Sequence, residues 1–434
     1  MSEFQSWGQV PYAEQNVSPF LWRHHNPYPE VDAQTNILPY GNGRSYGDSC
    51  LNHTGSLLNI RPLKRLLSFD RVQGRLTCEA GVLLSEVLAC IVPHGWFLPV
   101  TPGTQFVTVG GAIANDVHGK NHHVDGTFGV HVECFELLRS NGERLLCSLQ
   151  QNSELFRATI GGLGLTGVIT WVEFRLKAIG SNMIDSENVK CRNLDEFFSL
   201  AEDSDQQYDY TVAWIDCLAS GASLGRGIFM RGNHASQGVK SAPRLSLSVP
   251  LTPPISLINK LSLKAFNFAY YHKQMEKVHQ QRTHYQPFFY PLDAVGEWNR
   301  IYGPKGFYQY QCVIPLADAK AGMKAILTEI SASGSGSFLA VLKMFGAVAS
   351  PGLLSFPQEG VTLALDFPNQ GDKTRQLMQK LDDITFNHGG RVYPAKDARM
   401  SAEHFQHYYP QWRQLEALRD PRHSSSFWRR VTEL

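Results

Sequence analysis

The chain has 434 residues, with 40 lysines and arginines against 39 aspartates and glutamates, so its formal net charge is only +1. This length exceeds one ordinary hydrophobic core and predicts two or three domains. A nearly neutral chain has no basic field that would draw it onto nucleic acid. Its 43% apolar and 18% charged residues are typical of a folded globular protein and exclude a disordered or fibrous one.

Cysteines and termini bear on the compartment. The eight cysteines form no CxxC pair and show no zinc-type spacing with histidines. Several lie in apolar runs, as Cys78 does, which favours reduced thiols and a cytoplasmic protein. The first residues lack the features of a signal peptide, and no stretch approaches the ~20 apolar residues of a membrane-spanning helix. We therefore expect neither a signal peptide nor a transmembrane segment.

The first 177 residues predict a mixed α and β region rich in glycine. Alternation over Thr77–Val82 predicts a strand, and Ser85 then opens a helical pattern. Phe135–Leu138 and Arg144–Cys147 flank an Asn-Gly turn and predict a hairpin. Val168–Leu176 alternates as a further strand.

A domain boundary near Ala178 is predicted because the glycine clusters stop there. From residue 391 the chain again changes character and becomes polar, aromatic and basic. Between these points, the patterns predict helices over Leu194–Glu202 and Ala317–Ser331. They predict strands over Tyr210–Ile215, Tyr308–Ile314 and Val361–Phe367.

The segment Leu245–His272 is apolar, interrupted by three prolines and dotted with lysines, and it lacks a regular two-residue period. One interpretation is a packed loop followed by a helix. The other is a mobile flap that contacts an apolar substrate or a membrane surface. The sequence leaves both open.

Three glycine clusters carry the candidate binding chemistry. The first, Gly41–Asp48, offers consecutive backbone N–H groups beside the cation of Arg44, which suits a pyrophosphate, although a plain glycine turn is the better interpretation of this cluster taken alone. The second, Pro102–His123, contains Gly110 and Gly111, where a flat ligand can approach the backbone. The third, Gly161–Gly167, leads into the strand at Val168.

The histidines of the second cluster are weaker candidates for a metal site. His118 and His122 are four residues apart, as two ligands on a helix would be, but the intervening Gly119 argues against a helix. A hydrogen-bonded histidine, or one that faces a cofactor, is the better interpretation. We expect no metal.

Taken in order, these clusters resemble the PCMH-type FAD-binding domain of the vanillyl-alcohol oxidase superfamily, and within it the decaprenylphosphoryl-β-D-ribose 2-oxidases. Val341–Gly346, Leu354–Pro357 and Gly389–Asp397 extend the resemblance over nearly the whole chain. The resemblance implies an α+β fold. Residues 1–177 would form a two-lobed FAD-binding domain, residues 178–390 a substrate domain on an antiparallel β-sheet flanked by helices, and residues 391–434 a C-terminal segment that returns to the active site.

The resemblance also implies FAD as the cofactor. Relatives that tether FAD carry a histidine in the first loop, whereas this chain has Arg44, Ser45 and Tyr46, and no cysteine falls in the second cluster. We therefore expect non-covalent FAD. The residues expected to contact it are Gly41, Asn42, Gly43, Arg44, Ser45, Tyr46, Gly47, Pro102, Gly103, Thr108, Gly110, Gly111, Asn115, His118, Gly119, Asn121, Gly164, Thr166, Gly167, Val168, Tyr393 and Ala395.

The implied reaction oxidises a secondary hydroxyl of a sugar-like substrate and passes the hydride to flavin N5. Lys396 is the expected base or stabilising cation, and His118 is expected beside the flavin ring. The expected substrate contacts are Lys120 and Lys343 for a phosphate, Gln309, Gln311 and Tyr393 for sugar hydroxyls, and Trp214, which packs against substrate or fills core. One departure from the relatives is Ala364, where they have a cysteine.

Three functions remain open at this point. The first is oxidation of a lipid-linked or phosphorylated pentose, with a separate short-chain reductase as partner and a peripheral membrane contact. The second is an aldonolactone or alditol oxidase of the same superfamily. The third, of another class, is a non-catalytic flavin- or nucleotide-binding protein.

Overall fold

The computed structural model describes residues 4–28, 32, 34–238 and 247–432. Leu245 and Ser246, the first residues of the predicted flap, lie outside the described residues. The strands are β1 (Asn16–Pro19), β2 (Ile37–Tyr40), β3 (Ser56–Asn59), β4 (Leu66–Asp70), β5 (Arg75–Glu79), β6 (Trp96–Phe97), β7 (Val132–Leu138), β8 (Arg144–Ser148), β9 (Val168–Arg175), β10 (Lys177–Ala178), β11 (Met183–Cys191), β12 (Tyr210–Ile215), β13 (Gly227–His234), β14 (Leu247–Ser248), β15 (Val278–His284), β16 (Val295–Gly296), β17 (Phe307–Pro315), β18 (Val341–Phe345), β19 (Gly360–Pro368) and β20 (Arg391–Val392). The helices are α1 (Leu84–Ile91), α2 (Val109–Ala114), α3 (His122–Asp125), α4 (Ser153–Thr159), α5 (Leu194–Ser204), α6 (Lys260–Lys273), α7 (Tyr285–Phe289), α8 (Ala319–Ser333), α9 (Asp372–Asn387), α10 (Ala402–Tyr408), α11 (Trp412–Leu418) and α12 (Ser426–Thr432).

Two sheets organise the N-terminal region. The first is parallel, with strand order β1-β3-β2, and the second is antiparallel, with order β4-β5-β9-β7-β8. The predicted hairpin is confirmed as β7 and β8. Its turn places Gly142 at φ +88°, a left-handed conformation that favours glycine. The predicted strand at Val168 and the helix that follows Thr77–Val82 are also present, as β9 and α1.

The middle region is built on one antiparallel sheet of eight strands, in the order β15-β11-β13-β12-β18-β19-β17-β20. Alternation along β17 and β19 sends Tyr310, Cys312 and Leu363 to one face, where they pack with α8 residues such as Met323. The opposite face of these two strands carries polar side chains. The strands therefore have one apolar face against helices and one polar face toward the N-terminal sheets.

The C-terminal segment connects the two regions. β20 pairs with β17 at the edge of the large sheet, and a short turn over Pro394–Lys396 follows it. Further on, Arg430 of α12 donates to Asp48 and to Asp397, which are both buried. This ion-pair network holds the turn that carries Lys396 against the first glycine loop.

The segment after residue 247 contains an extended stretch and then α6. The helix begins after Asn259, whose side-chain oxygen accepts from the backbone N–H groups of Leu261 and Ser262. Leu263 and Asn267 face the protein and are buried, whereas most other side chains of α6 are exposed. Across the ranges that the structure describes, we find no helix with both the length and the apolar character needed to cross a membrane.

Candidate active site

A cavity of about 560 Å³ lies between the two N-terminal sheets and the polar face of the eight-stranded sheet. Its size is that of an ordinary cofactor or ligand site. The three glycine clusters, the turn at Lys396 and strands β12, β17, β18 and β19 all contribute to its walls. Segments that are hundreds of residues apart in the sequence therefore meet at one place.

Most of the residues singled out from the sequence line this cavity. Four do not, and each is engaged elsewhere: Gly47 contacts the Asp397 backbone, Asn121 donates to Pro99 O (2.7 Å), Thr166 bonds Thr159 (2.8 Å), and Val168 pairs with Leu138. Those that line it are Gly41, Asn42, Gly43, Arg44, Ser45, Tyr46, Pro102, Gly103, Thr108, Gly110, Gly111, Asn115, His118, Gly119, Lys120, Gly164, Gly167, Trp214, Gln309, Gln311, Lys343, Tyr393, Ala395 and Lys396.

The first glycine loop presents unused donors to the cavity. In the described parts of the chain, no oxygen accepts from the backbone N–H groups of Asn42, Gly43, Arg44 or Ser45. Gly43 has φ +59°, which a side chain would strain. Nearby, the buried hydroxyl of Ser49 also lines the cavity and has no partner among the described residues. Such a cluster of orphaned donors fits an anionic group such as a pyrophosphate.

Gly110 also has a role in packing. A Cβ at this position would lie 2.9 Å from the Cβ of Ala80, so the missing side chain lets α2 pack against the neighbouring sheet. Packing alone therefore favours glycine at this position, and the expected contact with a flat ligand stays a prediction. Gly111 is held by the N-terminal cap of the same helix, because its N–H donates to Thr108 Oγ1 at 3.1 Å.

A polar patch crosses three adjacent strands on the cavity side. Gln309 of β17 lies opposite Asp366 of β19, and the Gln309 amide donates to Asp366 Oδ1 at 2.7 Å. Gln311 lies opposite Ala364, and Lys343 of β18 opposite Thr362. Asp366 was not singled out from the sequence. Its signal was available, because it follows Thr362 and Ala364 at a two-residue period in an otherwise apolar strand.

Lys396 lies beside the first loop. Its ammonium lies 3.9 Å from the centre of the Tyr46 ring, and the Tyr46 N–H donates to Ala395 O at 2.9 Å. Burial lowers the pKa of Lys396 to about 7, with Asp366 opposing the change and Lys343 adding to it. Lys396 can therefore exist in both protonation states near neutral pH.

His118 lies on the wall between the glycine clusters and the sheet. The Gln311 amide is 2.9 Å from its Nε2, and Lys343 Nζ is 3.5 Å from its Nδ1. Burial lowers the pKa of His118 well below its ordinary value, and the charge of Lys343 contributes. The imidazole is therefore neutral at physiological pH, with one donor and one acceptor nitrogen.

Two further lysines face the same space. Burial lowers the pKa of Lys343 to about 8, and burial together with the charge of Lys343 lowers the pKa of Lys120 to about 7. Lys120 donates to the carbonyl of Phe288 and lies 4.6 Å from that ring. These three half-buried lysines line one cavity, and the charge of Lys343 disfavours charge on the other two, so a bound anion would be strongly favoured there.

Trp214 and Tyr393 shape the remaining walls. The Trp214 indole donates to Phe338 O at 2.8 Å and packs 4.5 Å from Tyr270, so its buried ring is fixed while one side lines the cavity. Tyr393 stacks on Phe356 at 4.5 Å and donates to Asn115 O at 2.7 Å. That bond uses the donor hydrogen of the Tyr393 hydroxyl, whose oxygen can still accept from a sugar hydroxyl, so its expected role stays a prediction.

One wall was not anticipated from the sequence. Residues 291–298, except Ala294, line the cavity near Arg44 of the first glycine loop. Arg44 packs 4.1 Å over Trp7, and the nearby carboxylates of Glu297 and Asp293 oppose the lowering of its pKa by burial. These residues form no recognisable glycine or charge motif, so this wall could not be predicted from the sequence. Within the described ranges, no group of three or more potential ligands forms a metal site.

Comparison with known proteins decides the family. Residues 31–148 match a family model described as an FAD binding domain. Over 401 residues the chain is 38% identical to the decaprenylphosphoryl-β-D-ribose oxidase of Mycolicibacterium smegmatis, and the alignment covers 89% of this chain and 86% of that protein. The chain belongs to the decaprenylphosphoryl-β-D-ribose oxidase family. Membership in this family confirms the predicted PCMH-type FAD-binding domain and an FAD-dependent oxidoreductase.

The chain is also similar to two other proteins, at lower identity. An uncharacterized protein in the mprA 5′ region of Streptomyces coelicolor is 29% identical over 357 residues, which are 78% of this chain and 96% of that protein. The L-gulonolactone oxidase of Mus musculus is 32% identical over 181 residues, or 39% of each chain. The decaprenylphosphoryl-β-D-ribose oxidase family thus shares part of its sequence with lactone oxidases.

Proposed function

We propose that this protein oxidises a secondary hydroxyl of a lipid-linked or phosphorylated pentose and holds FAD without a covalent bond. The observation that carries the proposal is the position of Lys396, whose pKa is lowered to about 7 in the same cavity as the unused N–H groups of the first glycine loop. The similarity to a decaprenylphosphoryl-β-D-ribose oxidase over most of both chains supports it.

The residues present fit FAD. The N–H groups of Asn42 to Ser45 and the guanidinium of Arg44 would hold the pyrophosphate, and the Ser49 hydroxyl would find a partner there. Pro102 and Gly103 would flank the cofactor from the second cluster, and His118 would lie beside its ring. When bound, FAD supplies the hydride acceptor for the oxidation.

Non-covalent binding is favoured by the side chains available for a tether. The first loop offers arginine, serine and tyrosine, none of which is an ordinary flavin tether. Cys50 also lines the cavity, but burial raises the pKa of its thiol to about 12, so the reactive thiolate is scarcely populated.

Proton transfer is assigned to Lys396. Its neutral amine can accept the hydroxyl proton as the hydride leaves, and the resulting ammonium is stabilised by Asp366. Its charged form would instead stabilise negative charge that develops on the substrate oxygen. The pH dependence, treated below, distinguishes these two roles.

Substrate contacts follow from the polar patch. Lys120 and Lys343 would bind the phosphate, and Gln309 and Gln311 would position the sugar hydroxyls. The ketone product would call for a reductase, and a separate short-chain enzyme is the proposed partner. We propose the cytoplasm as its location, on the basis of the free cysteines, most of which are buried.

The second candidate is an aldonolactone or alditol oxidase, which the similarity to L-gulonolactone oxidase favours. The test is an anaerobic screen of the purified protein against phosphorylated pentoses, lactones and alditols, with the flavin absorbance as readout. Bleaching by phosphorylated pentoses alone is the expected result. Bleaching by free lactones or alditols alone would favour the second candidate, and no bleaching by any of them would overturn both.

A further inference from the structure

A strap (residues 247–258) and the helix α6 that follows it expose apolar side chains that the proposed chemistry does not use. In the strap, Leu251 is 78% exposed and Ile255 is 72% exposed. In α6, Leu261 is 79% exposed and Phe268 is 62% exposed. Single exposed apolar residues are ordinary, but a run of them along one segment marks an interaction site.

The helix exposes large apolar side chains, as well as lysines, on the side that faces water. Its inner side carries Leu263 and Asn267, which are buried, and Asn267 donates to Asp216 Oδ1 at 2.7 Å. At 3.6 residues per turn, Leu261 and Phe268 project from a different side of the helix. A helix on the surface of a water-soluble protein normally places polar residues there. The outward side of α6 is therefore suited to an apolar or interfacial environment.

Charge on this surface has one sign. Residues 247–275 include Lys260, Lys264 and Lys273 and contain no aspartate or glutamate. All three lysines are exposed. Apolar side chains flanked by lysines are complementary to an anionic bilayer, whose headgroups attract the cations while its interface accepts the apolar groups.

The surface adjoins the cavity. β14 of the strap pairs with β16, and the Leu257 N–H donates to Ile301 O at 2.9 Å. Val295 of β16 lines the cavity and is itself exposed, as is Gly103 on the second glycine cluster. The apolar surface is thus attached directly to the wall at the rim of the cavity.

We propose that the strap and α6 form a docking surface for an anionic lipid bilayer. The apolar side chains enter the interfacial region, and the lysines contact lipid phosphates. The proposal of a docking surface rests only on the exposed side chains and their charges. Its use, which is to hold the cavity rim against the bilayer where a lipid-linked substrate resides, rests on the proposed function.

Flotation of the FAD-loaded full chain with vesicles tests the proposal. The wild type should float with phosphatidylcholine vesicles that contain phosphatidylglycerol, and less with phosphatidylcholine alone. The double variant Leu261→Ser, Phe268→Ser should lower the partition coefficient by about tenfold or more, because two apolar anchors are lost. The control Val72→Ser, at a residue 90% exposed elsewhere on the surface, should float like the wild type.

Three results would overturn the docking surface: a wild type that ignores anionic vesicles, a double variant that binds as well as the wild type, or a dimer that the double variant converts to monomer. The last result would assign the face to a second copy. Flavin reduction by a water-soluble phosphorylated pentose, measured in parallel, should be equal in both proteins. Vesicle binding without any flavin reduction would refute the proposed function and leave the surface intact, whereas reduction without binding would refute the surface alone.

Discussion

The proposed chemistry depends on the environment of one side chain, Lys396. In sequence it is an ordinary lysine in a polar tail, and only the resemblance to known flavoproteins singled it out. The fold buries it beside Tyr46 and near Asp366, and burial lowers its pKa to about 7. A surface lysine has neither the pKa nor the position to exchange a proton at neutral pH.

Replacement of Lys396 by alanine should lower the rate of anaerobic flavin reduction by about 10²- to 10⁴-fold, the contribution of a positioned acid or base. FAD should stay bound, because the pyrophosphate contacts lie in a different loop. Stopped-flow absorbance on the FAD-loaded variant measures this rate. Lys324→Ala, on the exposed side of α8, is the matched control and should reduce at the wild-type rate. Reduction of the Lys396 variant at that rate would reject the assignment.

The pH profile of the same step tests the protonation state. If neutral Lys396 accepts the proton, the reduction rate should rise with pH through about 7. Asp366 raises the pKa of Lys396, so Asp366→Asn should move the midpoint of the rise to lower pH. Gln309→Leu, which removes a bond to Asp366 but no charge, is the comparison variant. A rate that falls as pH rises would assign the charged lysine instead.

Among the elements of the fold, local patterns were predictable and long-range pairings were not. Tyr210–Ile215 was predicted with its observed bounds, because the strand is a short run of apolar and β-branched residues. The hairpin of β7 and β8 was predicted from its Asn-Gly turn. The order of the eight-stranded sheet could not be predicted, since β12 pairs with β18 more than a hundred residues away and such pairs leave no local signal.

The same limit applies to the site. Glycine clusters and Lys396 were found because motifs are local, whereas Asp366 and the wall at residues 291–298 are defined only by their neighbours in space. Asn121 and Thr166 show that a residue within a motif need not line the cavity. Both lie inside recognisable motifs, yet their side chains bond to protein groups that only the fold reveals.

The C-terminal helix α12 has a structural role that can be tested. Arg430 neutralises two buried carboxylates, Asp48 and Asp397, at 2.8–2.9 Å. Arg430→Met should lower the free energy of unfolding of the FAD-loaded protein by about 3–5 kcal/mol, because both carboxylates lose their partner. Urea unfolding followed by tryptophan fluorescence measures the change. Lys320→Met, which breaks an exposed pair with Asp195, should leave stability nearly unchanged. An equally small effect at Arg430 would show that the network does not fix the tail.

At the scale of the whole molecule, two regions of different architecture enclose the cavity proposed to hold the cofactor. We propose the division into residues 1–177, 178–390 and 391–434, with the last segment crossing from the large sheet to the first glycine loop. The cavity belongs to none of the three alone, because its walls come from all of them. A ligand that fills it would therefore stabilise the molecule as a unit.

The most direct test is to measure the cofactor itself. The purified chain, titrated with FAD, should quench the flavin fluorescence at one equivalent per chain, and acid precipitation should release all of the flavin into the supernatant. Flavin retained in the pellet would contradict non-covalent binding. A chain that neither carries nor binds FAD would contradict the central claim that the three glycine clusters and Lys396 form one flavin site.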